Sequence, residues 1–158
     1  MKHHRKIERF AGSDGMPRPA KTLVLLVDDD PLIADVVTAA LGQAGYTVGC
    51  LTDGRRAVQV IEFKRPSLVM LDCAMPFVPG VEVLRGIRSS RTCFHVPVLM
   101  LTSRANPTDR EIALRAGATD YMAKPFDPDQ LATTVDALIV DSRSRWGTTG
   151  TERRALVQ

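Results

Sequence analysis

The chain alternates between short, continuously apolar runs and longer segments whose apolar residues recur every three or four positions. Residues 22–27, Thr22 to Val27, form the first apolar run, and such a run suits a strand buried on both faces of a parallel sheet. Asp30-Pro31 then has the chemistry of a helix start, with an oxygen at the N-cap and proline at the first helical position. Leu32, Ile33, Val36, Val37, Ala40 and Leu41 follow at helical spacing, and Gly45 can close the helix. The same alternation repeats along the chain. Strands are predicted at Thr47–Leu51, Ser67–Leu71, Val96–Leu101 and Asp120–Ala123, and helices at Gly54–Arg65, Val81–Arg88, Pro107–Ala116 and Pro128–Val140. Five strands alternating with five helices argue for a parallel sheet covered on both faces.

Length and composition then bound the reading. One domain with extensions fits 158 residues, and 44% hydrophobic residues supply a core. No apolar run approaches the roughly 20 residues of a membrane-spanning helix, and the basic start at Met1 to Lys6 has no apolar stretch behind it. The expectation is a cytoplasmic protein without membrane insertion. Cys50, Cys73 and Cys93 are widely spaced, form no paired metal motif, and read as reduced thiols. Cys73 invites a redox role, but a small residue at the end of a buried strand explains it as well. The net charge of +3 conceals an uneven distribution. Residues 21–142 hold twelve basic and fifteen acidic groups, while 1–20 and 143–158 are basic. The expected organisation is a flexible basic leader over 1–20, a domain over 21–141 and a basic tail over 142–158. Basic ends can touch nucleic acid, but solvated ends account for them, so nucleic acid is not expected as a partner.

The candidate chemistry shares one address. Asp28 and Asp29 follow the first strand, Asp72 ends the third, Thr102 ends the fourth and Lys124 ends the fifth. In an open α/β sheet those carboxyl ends lie along one edge, where ligands bind. Three carboxylates brought together repel, and a hard divalent cation resolves the conflict. An oxygen-only set open to water and phosphate suits magnesium. A carboxylate nucleophile, a metal, a lysine and a hydroxyl are the parts that phosphoryl transfer needs. Helix capping and solvated charge explain Asp30, but not acidic residues at the ends of two buried strands. Arginine outnumbers lysine 16 to 5, so a lysine at a strand end departs from the chain's habit and supplies a compact point charge.

Four blocks make a family resemblance specific: Leu23 to Pro31 (Leu-Val-Leu-Leu-Val-Asp-Asp-Asp-Pro), Leu71 to Pro76 (Leu-Asp-Cys-Ala-Met-Pro), Val96 to Ser103, and Tyr121 to Phe126 (Tyr-Met-Ala-Lys-Pro-Phe). With Gly117 to Asp120 before the last block, residues 21–141 resemble the receiver domain of two-component response regulators, here of the stand-alone type. The resemblance implies a flavodoxin-like, doubly wound five-stranded parallel sheet of order 2-1-3-4-5 with helices on both faces. It implies that Asp72 accepts a phosphoryl group from a sensor histidine kinase, a phosphotransfer protein or a small phosphodonor. It also implies magnesium held by Asp28, Asp29, Asp72 and the carbonyl of Ala74. Lys124 would pair with the phosphorylated carboxylate, Thr102 would bond the phosphoryl group, Tyr121 would act as a switch, and Pro125 would follow a cis peptide. Output would pass to a downstream protein through the face formed by 107–141, with homodimerisation left open and no turnover of an external substrate.

The chain departs from the family's pattern at Pro79-Gly80, where Asp or Asn usually precedes the glycine, so a stiffer loop is expected. Ala74 offers no side chain to orient water, and Arg104 can reach over the site. Slow hydrolysis is expected from that pair. The competing readings are a receiver-like interaction module that never takes phosphate and a magnesium-dependent phosphohydrolase.

Overall fold

In a computed structural model of the chain, residues 21–103 and 106–146 are described. The leader, the last twelve residues and Arg104 lie outside them. The elements run β1 (Leu23–Val27), α1 (Pro31–Gln43), β2 (Thr47–Leu51), α2 (Ala57–Lys64), β3 (Leu68–Asp72), α3 (Gly80–Ser89), β4 (Val98–Thr102), α4 (Pro107–Arg115), β5 (Asp120–Ala123) and α5 (Pro128–Trp146). All strand pairings are parallel, in the order β2-β1-β3-β4-β5.

Alternation within each strand divides the core into two layers. Leu25, Val27, Val69, Leu71, Val98 and Met100 face α2, α3 and α4, meeting Ile61, Leu84 and Ala113. Val24, Leu26, Leu68, Met70, Leu99 and Leu101 face α1 and α5, meeting Val37, Leu41, Leu131 and Val135. Every residue of β3 and β4 is buried, which is why these strands read as unbroken apolar runs.

The element ends follow local chemistry. Asp30 caps α1, its side chain accepting from the Leu32 amide, and Gly45 takes φ +96° after the helix. Asn106 caps α4 in the same way, with Pro107 at the first position. Three elements differ from the sequence reading by more than one residue, and one of them is β4, which begins at Val98 and not at Val96. Helix α2 begins at Ala57, three residues late, because Gly54 is packed in a turn where a Cβ would stand 2.7 Å from Val83 Cγ2. Helix α5 runs to Trp146, through residues 142–146 that the sequence reading gave to the tail. The added turns are held by Trp146, whose ring meets Phe94 edge-on at 5.7 Å and lies 5.8 Å from His95. Half-buried Arg88 ties the underside together, donating to the carbonyls of Gly117, Phe94 and Val96 at 2.6–2.8 Å.

Candidate functional site

The parallel sheet brings the predicted residues to one rim. Asp28 follows β1 and is buried, as are Asp72 at the end of β3 and Thr102 at the end of β4. Asp29 is exposed beside them. One carboxylate oxygen each from Asp28, Asp29 and Asp72 lies within 4.8 Å of the others. Lys124, leaving β5, reaches into this group. Its Nζ donates to Asp28 Oδ2 at 2.7 Å and stands 3.3 Å from Asp72 Oδ1. Asp28 therefore holds the lysine more closely than does Asp72, whose pairing with Lys124 is expected of its phosphorylated form.

The two buried carboxylates have a fixed posture. Asp28 Oδ1 accepts the Asp30 amide at 2.9 Å, and Asp72 Oδ1 accepts the Ala74 amide at 3.4 Å. Thr102 is tied to the lysine's strand, its carbonyl accepting the Lys124 amide at 2.7 Å. The Lys124–Pro125 peptide is cis.

The charges are unbalanced, and the titrations reflect it. Burial and the neighbouring Asp28 charge push the Asp72 carboxyl above its usual range. Burial alone would lower the Lys124 ammonium, but the bonds and charges of Asp28 and Asp72 outweigh it and hold the lysine above its ordinary value. Three carboxylates against one ammonium leave net negative charge at an oxygen-only, partly open site. That donor set fits a hard divalent cation. Cys73 is half-buried, and burial together with the Asp72 charge pushes its thiol up to about 11. A thiol held protonated in this way is a poor nucleophile, which favours the packing reading of Cys73 over the redox one.

A cavity of about 530 Å³ opens beside the carboxylates, lined by Cys73, Ala74, Thr102, Asp109, Ile112 and Tyr121. Tyr121 is half-buried and packs against the core on the α4 side.

Gly80 is a site residue that the sequence reading noted only as part of an altered loop. A Cβ there would stand 2.2 Å from the Asp72 carbonyl oxygen, so only glycine lets α3 start against the strand end. The Gly80 amide donates to the Cys73 carbonyl at 3.0 Å. The signal was available, since a glycine between Pro79 and an apolar helix marks a close approach. Phe77, at φ +71° in the same loop, gave no such signal.

Fold and site together define a doubly wound domain with an aspartate-centred, acidic rim. The family model of the response regulator receiver domain matches residues 24–136, and the chain belongs to that family. Over 114 residues it is 37% identical to the DNA-binding response regulator MtrA of Mycolicibacterium smegmatis, a match covering 72% of this chain and 49% of that protein. It is 35% identical over 116 residues to the transcriptional regulatory protein PhoP of Bacillus subtilis, covering 73% and 48%. The chain thus spans about half the length of these curated relatives. Among solved structures it is similar to the receiver domain of the sensor histidine kinase PA1611 from Pseudomonas aeruginosa. The identity is 36% and the TM-score 0.71, covering 77% of this chain and 99% of that one; the PA1611 structure has a magnesium ion coordinated in its active site cleft. The chemotaxis protein CheY4 of Vibrio cholerae is similar at 33% identity and a TM-score of 0.71, covering 75% and 99%.

Proposed function

We propose that this chain is a phosphorylation-activated receiver in which Asp72 takes a phosphoryl group from a phosphohistidine on a sensor histidine kinase or phosphotransfer protein. One observation carries the reading: carboxylates from two strand ends converge on one rim with a single lysine between them. The Asp72 carboxylate attacks phosphorus, the P–N bond to the donor imidazole breaks, a P–O bond forms, and the imidazole takes up a proton as it leaves. Magnesium, when bound, neutralises charge between the carboxylates and the phosphoryl oxygens. Asp28, Asp29, Asp72 and the Ala74 carbonyl are the groups that would hold it. Lys124 supplies fixed positive charge beside the phosphorylated carboxylate, and the Thr102 hydroxyl donates to a phosphoryl oxygen.

The new charge and acceptor oxygens draw Thr102 and the loop after it inward. Tyr121 borders the same cavity and moves into the space that opens, reshaping the face over 107–141. Output is then contact with another protein. The stand-alone arrangement and the cytoplasmic setting belong to the same proposal; no helix among the described residues is long and apolar enough to cross a membrane. The names of the curated relatives keep a DNA-binding output in view for any protein that carries this domain.

The test is incubation with magnesium and acetyl phosphate, followed by intact mass measurement of the parent and Asp72→Asn. The parent gains one acid-stable, base-labile phosphate and the variant none. Labelling of both, or of neither by acetyl phosphate and histidine kinases alike, refutes the assignment. Continuous release of phosphate from small esters would favour the phosphohydrolase instead.

A further inference from the structure

The loop that leaves Asp72 carries a local arrangement that nothing in the acidic centre explains. The Val78 amide donates to the Pro76 carbonyl at 2.8 Å, and Phe77 between them has φ +71°. This is a γ-turn of the positive-φ kind, which is rare and strained, and an aromatic residue is an unfavourable choice for it. The strained position does not bury its side chain: Phe77 is 73% exposed. The ring is instead fixed from one side. The Arg55 guanidinium lies 3.9 Å from its centroid and is itself held by Asp53 through two side-chain bonds at 3.2–3.3 Å.

A second local cost sits beside it. Arg55 and Arg56 immediately precede α2, whose first turn holds no acidic residue, so cations stand at the positive end of a helix dipole. Arg56, at the N-cap, makes no side-chain capping bond and is exposed. The Arg55 stack and its Asp53 pair offset part of these costs, yet they leave an exposed aromatic ring and an exposed, uncapped cation, Arg56, side by side at the rim, an arrangement that suits a partner.

We propose that Phe77, steadied by Arg55, is the contact by which this chain selects its phosphodonor protein, and that Arg56 meets a carboxylate on the same donor. The inference rests on the phosphoacceptor reading. Asp72 lies nearly buried beneath the rim, so any protein that brings a phosphohistidine to it must cover the loop that begins at Cys73. The donor surface that fits is an apolar hollow with an acidic border, set beside its phosphohistidine. An aromatic ring pre-positioned by a cation gives up little freedom on binding and can act as an anchor.

The test uses the full chain, with acetyl phosphate and the ATP-phosphorylated cytoplasmic portions of the histidine kinases of its own genome as donors. In Phe77→Gly, which accepts the positive φ, kcat/KM for the parent's preferred kinase falls by about tenfold or more. Labelling by acetyl phosphate stays within about twofold, because the chemistry at Asp72 is untouched. Phe77→Leu retains part of the kinase preference, and Arg56→Glu loses it. An unchanged kinase profile in Phe77→Gly overturns this inference alone. So does an equal loss with acetyl phosphate, or a parent dimer that Phe77→Gly dissolves, since the loop would then serve catalysis or a second copy. A parent that no donor labels overturns the phosphoacceptor reading, and this inference with it.

Discussion

Replacing Lys124 by methionine tests the electrostatic construction of the rim directly. The side chain keeps its length and packing and loses its charge. What remains is Asp28 and Asp72, both buried, with oxygens of the acidic group within 4.8 Å of one another and no ammonium between them. At that separation and an effective dielectric near 20, the repulsion of one carboxylate pair is about 3.5 kcal/mol. Breaking a buried ion pair from one side costs roughly 3–5 kcal/mol, which agrees. For a domain of roughly 120 residues, a loss of about 3 kcal/mol lowers Tm by about 12 °C. The assay is thermal and urea denaturation in chelator and in excess magnesium chloride. The loss appears in full in chelator and is largely restored by magnesium, because a cation among the carboxylates replaces the missing charge. Asp72→Asn should do the opposite in chelator. Its raised carboxyl pKa means that its ionised form favours unfolding at neutral pH. The amide therefore stabilises, by on the order of 1 kcal/mol. A Lys124→Met variant that loses less than about 1 kcal/mol, or loses the same amount with and without magnesium, refutes the reasoning.

Other consequences can be measured separately. The Tyr46 hydroxyl donates to Asp136, and burial together with that bond raises its pKa to about 12. Its contribution is therefore complete below about pH 10 and disappears as pH rises toward 12; discounted for solvent screening it is roughly 1 kcal/mol. Urea denaturation of the parent and Tyr46→Phe should show a gap at neutral pH that closes in alkali, and a constant gap contradicts the assignment. Gly80→Ala drives a Cβ to 2.2 Å from the Asp72 carbonyl oxygen, a backbone atom that cannot step aside. A loss of about 3 kcal/mol is expected by denaturation, with slower Asp72 labelling. Trp146 is the chain's one tryptophan, so its emission reports the end of α5. Trp146→Ala should cost about 1 kcal/mol, and the parent's emission should change with global unfolding, not before it.

Much of the architecture was legible because local chemistry and tertiary demand agree. The Asp30-Pro31 start, the Gly45 and Gly117 ends, and strands β2 and β5 lie where their residues place them. The site's address was also legible, since a buried apolar run followed by Asp72, Thr102 or Lys124 marks a carboxyl strand end. What escaped depends on contacts between distant segments. No residue near Val140 says that α5 continues, because its anchor, Phe94, lies in another loop. The late start of α2 follows from Val83 crowding Gly54. That Lys124 sits closer to Asp28 than to Asp72 is decided by 0.6 Å, the difference between 2.7 and 3.3 Å, which spacing cannot resolve. Phe77 escaped because it breaks the local rule that reserves its conformation for glycine or asparagine.

The bond between Lys124 and Asp28 joins residues 96 positions apart, and Lys124 leaves β5, the last of the five strands among the described residues. During translation the acidic side chains emerge first, and their counter-charge arrives only after four strands are already out of the ribosome. A nascent or truncated chain ending before β5 carries an uncompensated cluster of negative groups and a sheet missing one edge.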